Sequence, residues 1–452
     1  MDLLSVARAL QVNDRELICF YGGGGKTSLL FRLARELASL DKKVLLTTTT
    51  RMSIPETVPC VYTAIAAEAG RQLRESFYHH DIVMLGDHLL PGNKIGGVDP
   101  YLVEELYRTE VSSYILVEAD GAAHKPLKGY ASYEPVLPPG STQNIPLAGV
   151  EAVGKRISAE NVHRPALFAS QVGAEGENYI TVDHFVRYLS KMEKTGRILS
   201  PSARVTPIIN KVDLLQGREL VREVAASWAL RSSADRLFFL AASEEAPVKF
   251  IFTNTTGEAR PFISCVILAA GLSSRMGEDK LSLLMKEKTM LEHTLENALN
   301  SNVDEVIVVA RPDNYSRVEL TARSGIKVVI NPYYKEGIST SLKVGLNAVS
   351  SLCQGVLFTL ADQPFVYPED YNHLLERYFD CLNLVTFPIY RGKRGNPTLF
   401  DRRTWPLLLE LEGDIGGRAI FRHLPVGELC GVETSQQGVL LDIDTPEDLE
   451  KN

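Results

Sequence analysis

Two short stretches of this chain gather glycine, lysine, arginine and hydroxyl side chains at spacings suited to holding phosphate. The first, Leu17–Ser28, reads LICFYGGGGKTS. Successive backbone N–H groups of Gly23, Gly24 and Gly25 can wrap a phosphate, Lys26 can neutralise its outer oxygens, and Thr27 can hold Mg²⁺. Phe20 stands where the usual phosphate-loop pattern has its first glycine, so Gly22, Gly23 and Gly24 must supply that freedom slightly later. The plain alternative is a glycine-rich strand-to-helix turn with an incidental lysine. The second stretch, Leu268–Lys280, reads LAAGLSSRMGEDK. Ala269, Ala270 and Gly271 are small enough for phosphate and ribose to approach the backbone, Gly277 lies in the same loop, and Arg275 and Lys280 bring charge to balance a triphosphate.

Chemistry on a triphosphate also calls for carboxylates around a divalent cation, expected here to be Mg²⁺. YILVEADGA, Tyr114–Ala122, ends an apolar run with Glu118 and Asp120 on one side of an extended chain. Either suits a Mg²⁺ near the first turn, and both also read as ordinary polar residues closing a strand. PIINKVD, Pro207–Asp213, places Asp213 where it can accept both N–H groups of a guanine, with Asn210 and Lys211 flanking the base. A four-residue match also arises by chance, so GTP or ATP is expected at the first turn. In the second region VLFTLADQP, Val356–Pro364, ends a strand at Asp362, and LLDIDTPEDLE, Leu440–Glu450, offers Asp444 as a second metal ligand with Asp442 in reserve. Asp444 reads equally as a helix N-cap ahead of Pro446. EGISTSLKVGL, Glu336–Leu346, presents Ser339 and Ser341 for base or ribose contacts, although a cap explains one of them. RGNPTLF and GDIGGRAIF supply Arg394, Asn396, Asp414 and Arg418 for an anionic acceptor, or are simply turns.

These residues need strands to deliver them and helices to follow. Leu29, Leu30, Leu33, Ala34 and Leu37 recur at helical spacing after the first glycines. Apolar runs predict strands over Val44–Leu46, Ile82–Leu85, Tyr114–Val117 and Val205–Ile209, then over Cys265–Leu268, Glu305–Val309, Lys327–Ile330, Val356–Leu360, Leu384–Phe387 and Val439–Ile443. Their alternation with amphipathic stretches predicts parallel α/β sheets. Gly140–Thr206 is less periodic and is expected to form a small insertion or helical subdomain. The polar TNTTGEARP, Thr253–Pro261, marks a boundary near residue 258, giving domains 1–257 and 258–452.

A chain of 452 residues exceeds the ~150-residue prior for one domain about three-fold, which agrees with that division. Its net charge of −8 argues against nucleic acid as a partner and against polybasic attachment to lipid. The six cysteines are scattered without a CxxC pair, and MDLLSVARAL lacks the charge pattern of a secretion signal. With no run of about 18 apolar residues, a soluble cytoplasmic protein without membrane segments is expected.

FYGGGGKTSLLFRLA, VLLTTTTRM (Val44–Met52) and LVEADGAAHKPLKGY (Leu116–Tyr130) make the first domain resemble the YqeC family, accessory proteins linked to selenium-dependent molybdenum hydroxylases. The resemblance spans roughly residues 1–250 and implies a maturation role for a client hydroxylase apoenzyme, without naming a reaction. Lys125 and Lys128 in HKPLKGY suit an anionic partner, yet read more simply as solvated surface lysines. LAAGLSSRMGEDK is similar to the opening motif of nucleotidyltransferases that attach a nucleoside monophosphate to a phosphorylated acceptor. Together with EGISTSL, LADQP, RGNPTLF, GDIGGRAIF and DIDTPEDL, it makes residues 263–452 resemble the MocA family of molybdenum cofactor cytidylyltransferases. The related guanylyl-transferring MobA family typically carries LAGG where this chain has Ala270, so the resemblance implies CTP as substrate and molybdopterin as acceptor.

The implied architecture is two doubly wound α/β domains, an N-terminal P-loop NTPase-like one and a C-terminal Rossmann-like nucleotidyltransferase. In the implied reaction Arg275 and Lys280 hold the triphosphate while Asp362 and Asp444 hold Mg²⁺. Two other readings compete: a sugar- or alditol-phosphate cytidylyltransferase, and a GTP-driven cofactor-insertion chaperone whose transferase half only binds.

Overall fold

The strand that enters the first glycine turn, β1 (Glu16–Gly22), is buried at every position, because in a parallel sheet covered on both faces each side chain meets a helix. The computed structural model that shows this describes residues 5–55, 57–215, 218–271, 281, 283–285, 287–322 and 325–443. It divides into two units between Arg260 and Pro261. After β1, α1 (Lys26–Ala38) buries Leu29, Leu30, Leu33, Ala34 and Leu37, the face that their spacing predicts. β2 (Val44–Thr48), β3 (Ile82–Gly86), β4 (Tyr114–Glu118), β5 (Gln143–Gly149), α2 (Val182–Leu199), β6 (Ile208–Asn210), β7 (Arg236–Leu240) and β8 (Val248–Thr253) follow. They build an eleven-stranded sheet in which the order runs β8, β7, β6, β5, β1, β4, β2, β3. β7 and β8 pair antiparallel. β1 lies parallel between β4 and β5, with Phe20 beside Glu118 and Gly22 beside Leu147. The carboxyl ends of β4 and β5 therefore flank the glycine turn.

Two expectations for this unit need correction. β5 is a central strand inside the stretch 140–206, which therefore is not an insertion, although α2 and a helix over Pro165–Val172 do make much of it helical. The strand hides in the sequence because its polar members are buried and bonded to distant segments: Gln143 Nε2 donates to the Leu10 carbonyl at 2.9 Å, and Asn144 Nδ2 to that of Gly196 at 3.2 Å. The strand predicted over Val205–Ile209 is interrupted, with Arg204–Val205 and β6 pairing separately with β5. Pro207 stands at the break, where it has no N–H to give a ladder.

The second unit runs β9 (Phe262–Leu268), α3 (Met290–Leu299), β10 (Glu305–Ala310), β11 (Lys327–Ile330), α4 (Ile338–Ala348), β12 (Cys353–Leu360), α5 (Pro368–Cys381), β13 (Val385–Tyr390), β14 (Thr398–Asp401) and β15 (Leu429–Glu433). Its eight-stranded sheet is ordered β11, β10, β9, β12, β14, β13, with β15 beside β13. β11, β10, β9 and β12 are parallel, whereas β14 runs antiparallel to both neighbours. Ile263, Cys265 and Ile267 pack with α3 and α5, and Val266 packs with Leu342 and Leu346 of α4, so β9 carries helices on both faces. The chain winds from β9 out to β11, then returns to β12 on the other side of β9. The carboxyl ends of β9 and β12 thus form the crevice at which open α/β sheets take ligands.

The strand predicted over Val439–Ile443 does not form. A short 3-10 turn over Gln437–Leu440 takes its place, with Gly438 against the Phe365 backbone where a side chain would clash. Single backbone bonds then tie Asn396 N to the Val439 carbonyl and Ile443 N to the Asp362 carbonyl at 2.8 and 3.2 Å. The segment lies across strand ends rather than along a neighbour. Among the described residues no helix is long and apolar enough to cross a membrane.

Candidate functional site

In the first unit Gly22, Gly24 and Gly25 have φ of 107°, 79° and 105°, a region only glycine enters freely, and side chains on Gly22 and Gly24 would strike the backbone of β5. Lys26 opens α1 and folds back: Nζ donates to the Gly22 carbonyl at 2.5 Å and lies 3.1 Å from Asp120 Oδ1. Asp120 also accepts the Gly22 N–H at 3.1 and 3.0 Å, and Lys128 Nζ lies 3.3 Å from its Oδ2. Burial would raise the Asp120 carboxyl, but the ammoniums of Lys26 and Lys128 and the Gly22 N–H outweigh it and hold it below the ordinary carboxylate value. Glu118, at the end of β4, accepts the Thr27 hydroxyl at 2.7 Å. Its carboxyl is raised by burial, opposed by Lys26 and Thr27. Of the two carboxylates expected near a Mg²⁺, Glu118 with Thr27 fits such an ion, whereas Asp120 is engaged at both oxygens by the chain's own cations.

Asn210, Lys211 and Asp213 do follow β6 beside this turn. Asn210 is 3% exposed and spends both ends of its amide on the protein, Nδ2 donating to the Gly24 carbonyl at 2.8 Å and Oδ1 accepting from Ala242 N at 3.0 Å. It braces the turn. Lys211 pairs with Glu151 at 2.5 Å, and Asp213 is exposed on a short 3-10 turn. Lys128 is completely buried, which corrects its reading as a surface lysine: Glu134 Oε1 lies 3.1 Å from its Nζ, and Glu134 in turn meets Arg164. Glu134, Glu151 and Arg164 belong to no motif, and nothing in their local sequence distinguishes them from surface charges.

In the second unit Ala269 and Ala270 are buried at the end of β9, while Gly271 is exposed. Leu268 is in register with Leu360, so the small-residue turn and Asp362 leave neighbouring strands at the same level. Arg275, Gly277, Lys280 and Asp444 lie outside the described residues. Two side chains missed by the motif reading pin the turn by its carbonyls: the buried Asn314 donates Nδ2 to Ala269 O at 2.9 Å, and Arg311 donates to Gly271 O at 2.5 Å. Their signal is ARPDN, a polar turn directly after β10.

Asp442 is brought to the same edge by Gln363, whose Nε2 donates to its Oδ1 at 2.5 Å. Arg418 donates to Asn396 Oδ1 at 2.8 Å. Its guanidinium is held below its usual value by partial desolvation and by nearby Arg394, against the attraction of Asp442. Arg394 lies against the paired rings of Phe387 and Phe421, 5.1 and 5.5 Å from their centres. Arg394, Asn396, Arg418 and Asp442 are thus one cluster. Asp414 differs: Oδ1 accepts the Ile338 N–H at 3.3 Å, so it serves the start of α4. Ser341 accepts from Asn331 at 2.9 Å, while the fully buried Ser339 hydroxyl has no hydrogen-bond partner among the described residues. Of the two serines, Ser339 keeps its capacity for a ligand. No group of three or more His, Cys, Asp or Glu side chains is placed to hold a metal among the described residues.

Comparison with known proteins separates the two units in the same way. The YqeC protein family model matches residues 18–166, and the MobA-like NTP transferase domain model matches residues 265–428. The chain is 35% identical over 161 residues to the uncharacterized protein YqeC of Escherichia coli K12, a match covering 35% of this chain and 60% of that relative. It is 30% identical over 186 residues to the molybdenum cofactor cytidylyltransferase of the same organism, covering 41% of this chain and 93% of the relative. The purine catabolism protein PucB of Bacillus subtilis 168 is 30% identical over 197 residues, covering 42% of this chain and 94% of that protein. The chain spans about three fifths of the YqeC relative and nearly all of the other two. It therefore belongs, through its second unit, to the MobA-like NTP transferase family of nucleotidyltransferases, and it carries a YqeC domain ahead of that unit.

Proposed function

We propose that the second unit transfers CMP from CTP to molybdenum-loaded molybdopterin, releasing pyrophosphate, and that the YqeC domain binds GTP or ATP and assists maturation or insertion for a selenium-dependent molybdenum hydroxylase. One observation carries the reading of the second unit: Asp362 leaves β12 level with the small-residue turn after β9, and Gln363 draws Asp442 to the same edge.

In the reaction a terminal phosphate oxygen of molybdopterin attacks the α-phosphorus of CTP. The new P–O bond forms as the α–β bridge breaks, and the electron pair leaves with pyrophosphate. Both reactants are anions, so the protein's work is positioning and charge neutralisation. Arg275 and Lys280 hold the triphosphate, and Ser339 contacts ribose or base. Arg394, Asn396 and Arg418 receive the acceptor's phosphate, for which an exposed arginine held against two aromatic rings is well prepared. Asp362 and Asp444, with Asp442 in reserve, would hold Mg²⁺, which supplies Lewis-acid neutralisation at the α-phosphate. The domain boundary is proposed at the Arg260–Pro261 step, three residues beyond the one predicted from the turn-rich linker.

Pyrophosphate release by the full chain with Mg²⁺, molybdenum-loaded molybdopterin and either CTP or GTP tests this. Release is expected with CTP, retained in Lys26→Ala and lost in Asp362→Asn. Release only with a sugar or alditol phosphate as acceptor would replace the molybdopterin assignment, and absence of release with every acceptor tried would favour a binding-only role.

A further inference from the structure

At the first glycine turn, donors that a phosphate oxygen would use are already taken by a carboxylate of the same chain. Both oxygens of Asp120 accept the Gly22 N–H, at 3.1 and 3.0 Å, and Oδ1 lies 3.1 Å from Lys26 Nζ. The next two amides are also occupied, Gly23 N by the Leu147 carbonyl at 2.8 Å and Gly24 N by that of Lys125 at 3.1 Å. Lys26 is only 5% exposed in this arrangement, with its ammonium turned inward. Asp120 is itself fully buried, and so is Lys128, 3.3 Å away on its other side. Lys128 continues to Glu134 at 3.1 Å, and Glu134 to Arg164. Five alternating charges thus run from the turn into the body of the unit.

Burying such a chain is costly unless every member stays paired, and replacing it by apolar residues often stabilises a protein. A fold that keeps it at a ligand-binding turn has a reason beyond stability. Resting on the reading of this turn as a phosphate site, we infer that Asp120 is an internal stand-in for the ligand's phosphate: it holds Lys26 and the first turn amide in the ligand-free chain, and a nucleotide phosphate binds by displacing it. When Lys26 moves to the ligand, Lys128 is the cation left beside Asp120. Lys128 stands in a short strand, Leu127–Lys128, paired with Val162–His163, and Arg164 leads from that pair into the helix over Pro165–Val172. Occupancy of the turn is therefore felt through Lys128, Glu134 and Arg164, well away from the ligand. A Mg²⁺-holding Asp120 makes the opposite prediction, since its loss would then weaken nucleotide binding.

Calorimetric titration of the full chain with GTP, ATP and inorganic phosphate, with Mg²⁺ and with EDTA, decides between them. Asp120→Asn keeps the shape and removes the competing charge, so nucleotide affinity is expected to rise about ten-fold in both conditions, as it does when a competing state is depopulated. Weaker binding in Asp120→Asn, or a loss of Mg²⁺ dependence there, overturns the stand-in role. Lys26→Ala guards the underlying reading. No binding by the unaltered chain, or binding that Lys26→Ala leaves unchanged, sinks the phosphate site and the proposal with it. Because Asp120→Asn leaves two buried cations and can fail to fold, hydrogen exchange on the unaltered chain provides a second test. Nucleotide should alter exchange over residues 121–134 and 162–172 as well as at the turn, and protection confined to residues 22–28 contradicts the displacement.

Discussion

The two glycine-bearing turns of this chain stand in opposite placements of charge. In the first, Lys26, Asp120 and Lys128 are buried, and the Gly22, Gly23 and Gly24 amides are spent on the protein itself. In the second, the scaffold grips carbonyls, through Asn314 and Arg311, and the described cations Arg394 and Arg418 stand exposed. Buried pairs are costly to desolvate and sensitive to the loss of either partner, whereas exposed arginines are screened by solvent. The first arrangement therefore depends on every member staying paired, whereas the second unit leaves its described arginines open to solvent.

The largest effect should come from the carboxylate of the second turn. Asp362→Asn is expected to lower pyrophosphate release by about 10²–10³-fold, the range for removing one group that stabilises developing charge, with an unchanged circular dichroism spectrum. An equal loss in a first-unit variant such as Lys26→Ala would break the division of labour.

Stability should show the reverse asymmetry. Lys128→Met leaves Asp120 with Lys26 and Glu134 with Arg164 but removes the cation that joins them, and is expected to cost up to about 3–5 kcal/mol in urea unfolding, the range for breaking a buried pair. Arg394→Met, at an exposed position, is expected to cost no more than about 1 kcal/mol.

Next in size is the acceptor cluster. Arg418→Gln should raise the acceptor KM about ten-fold with little change in KM for CTP, because one charge-assisted contact is lost. Equal effects on both substrates would move Arg418 to the triphosphate.

The smallest effect is on the pH dependence of the first unit. Asp120 titrates below its unfolded value, so the native state binds its proton less readily than the unfolded chain does. Its contribution is fully present above the unfolded carboxylate value near 4, and is lost as pH falls through the lower folded value. Glu118 has the opposite sign: its raised folded value costs stability as pH climbs from the unfolded value to the folded one. Urea midpoints between pH 3 and 6 should therefore fall less steeply toward acid in Asp120→Asn than in the unaltered chain. A steeper fall would contradict the assignment.

Much of this was legible in the residues. Leu29 to Leu37 gave the face of α1, the apolar runs gave most of the strands, and ADQP gave Asp362 at a strand end. What stayed hidden has a common cause, since pattern reading assumes that polar means exposed. β5 escaped because Gln143 and Asn144 are buried with partners from distant segments, and Lys128 was misread for the same reason. Asn210 stands in its predicted neighbourhood, and its bonds to Gly24 and Ala242 are contacts that no local spacing encodes. Val439–Ile443 has the composition of a strand, yet tertiary bonds from Asn396 and Asp362 lay it across the sheet edge.

The central claim is that CMP passes from CTP to molybdopterin at the second turn, and its most direct test follows the transferred phosphorus. With α-³²P-labelled CTP, Mg²⁺ and molybdenum-loaded molybdopterin, label should appear in a molybdopterin cytosine dinucleotide with one pyrophosphate released per label, and should vanish in Asp362→Asn. Label recovered only as free CMP, or a dinucleotide formed from labelled GTP in preference to CTP, would contradict it.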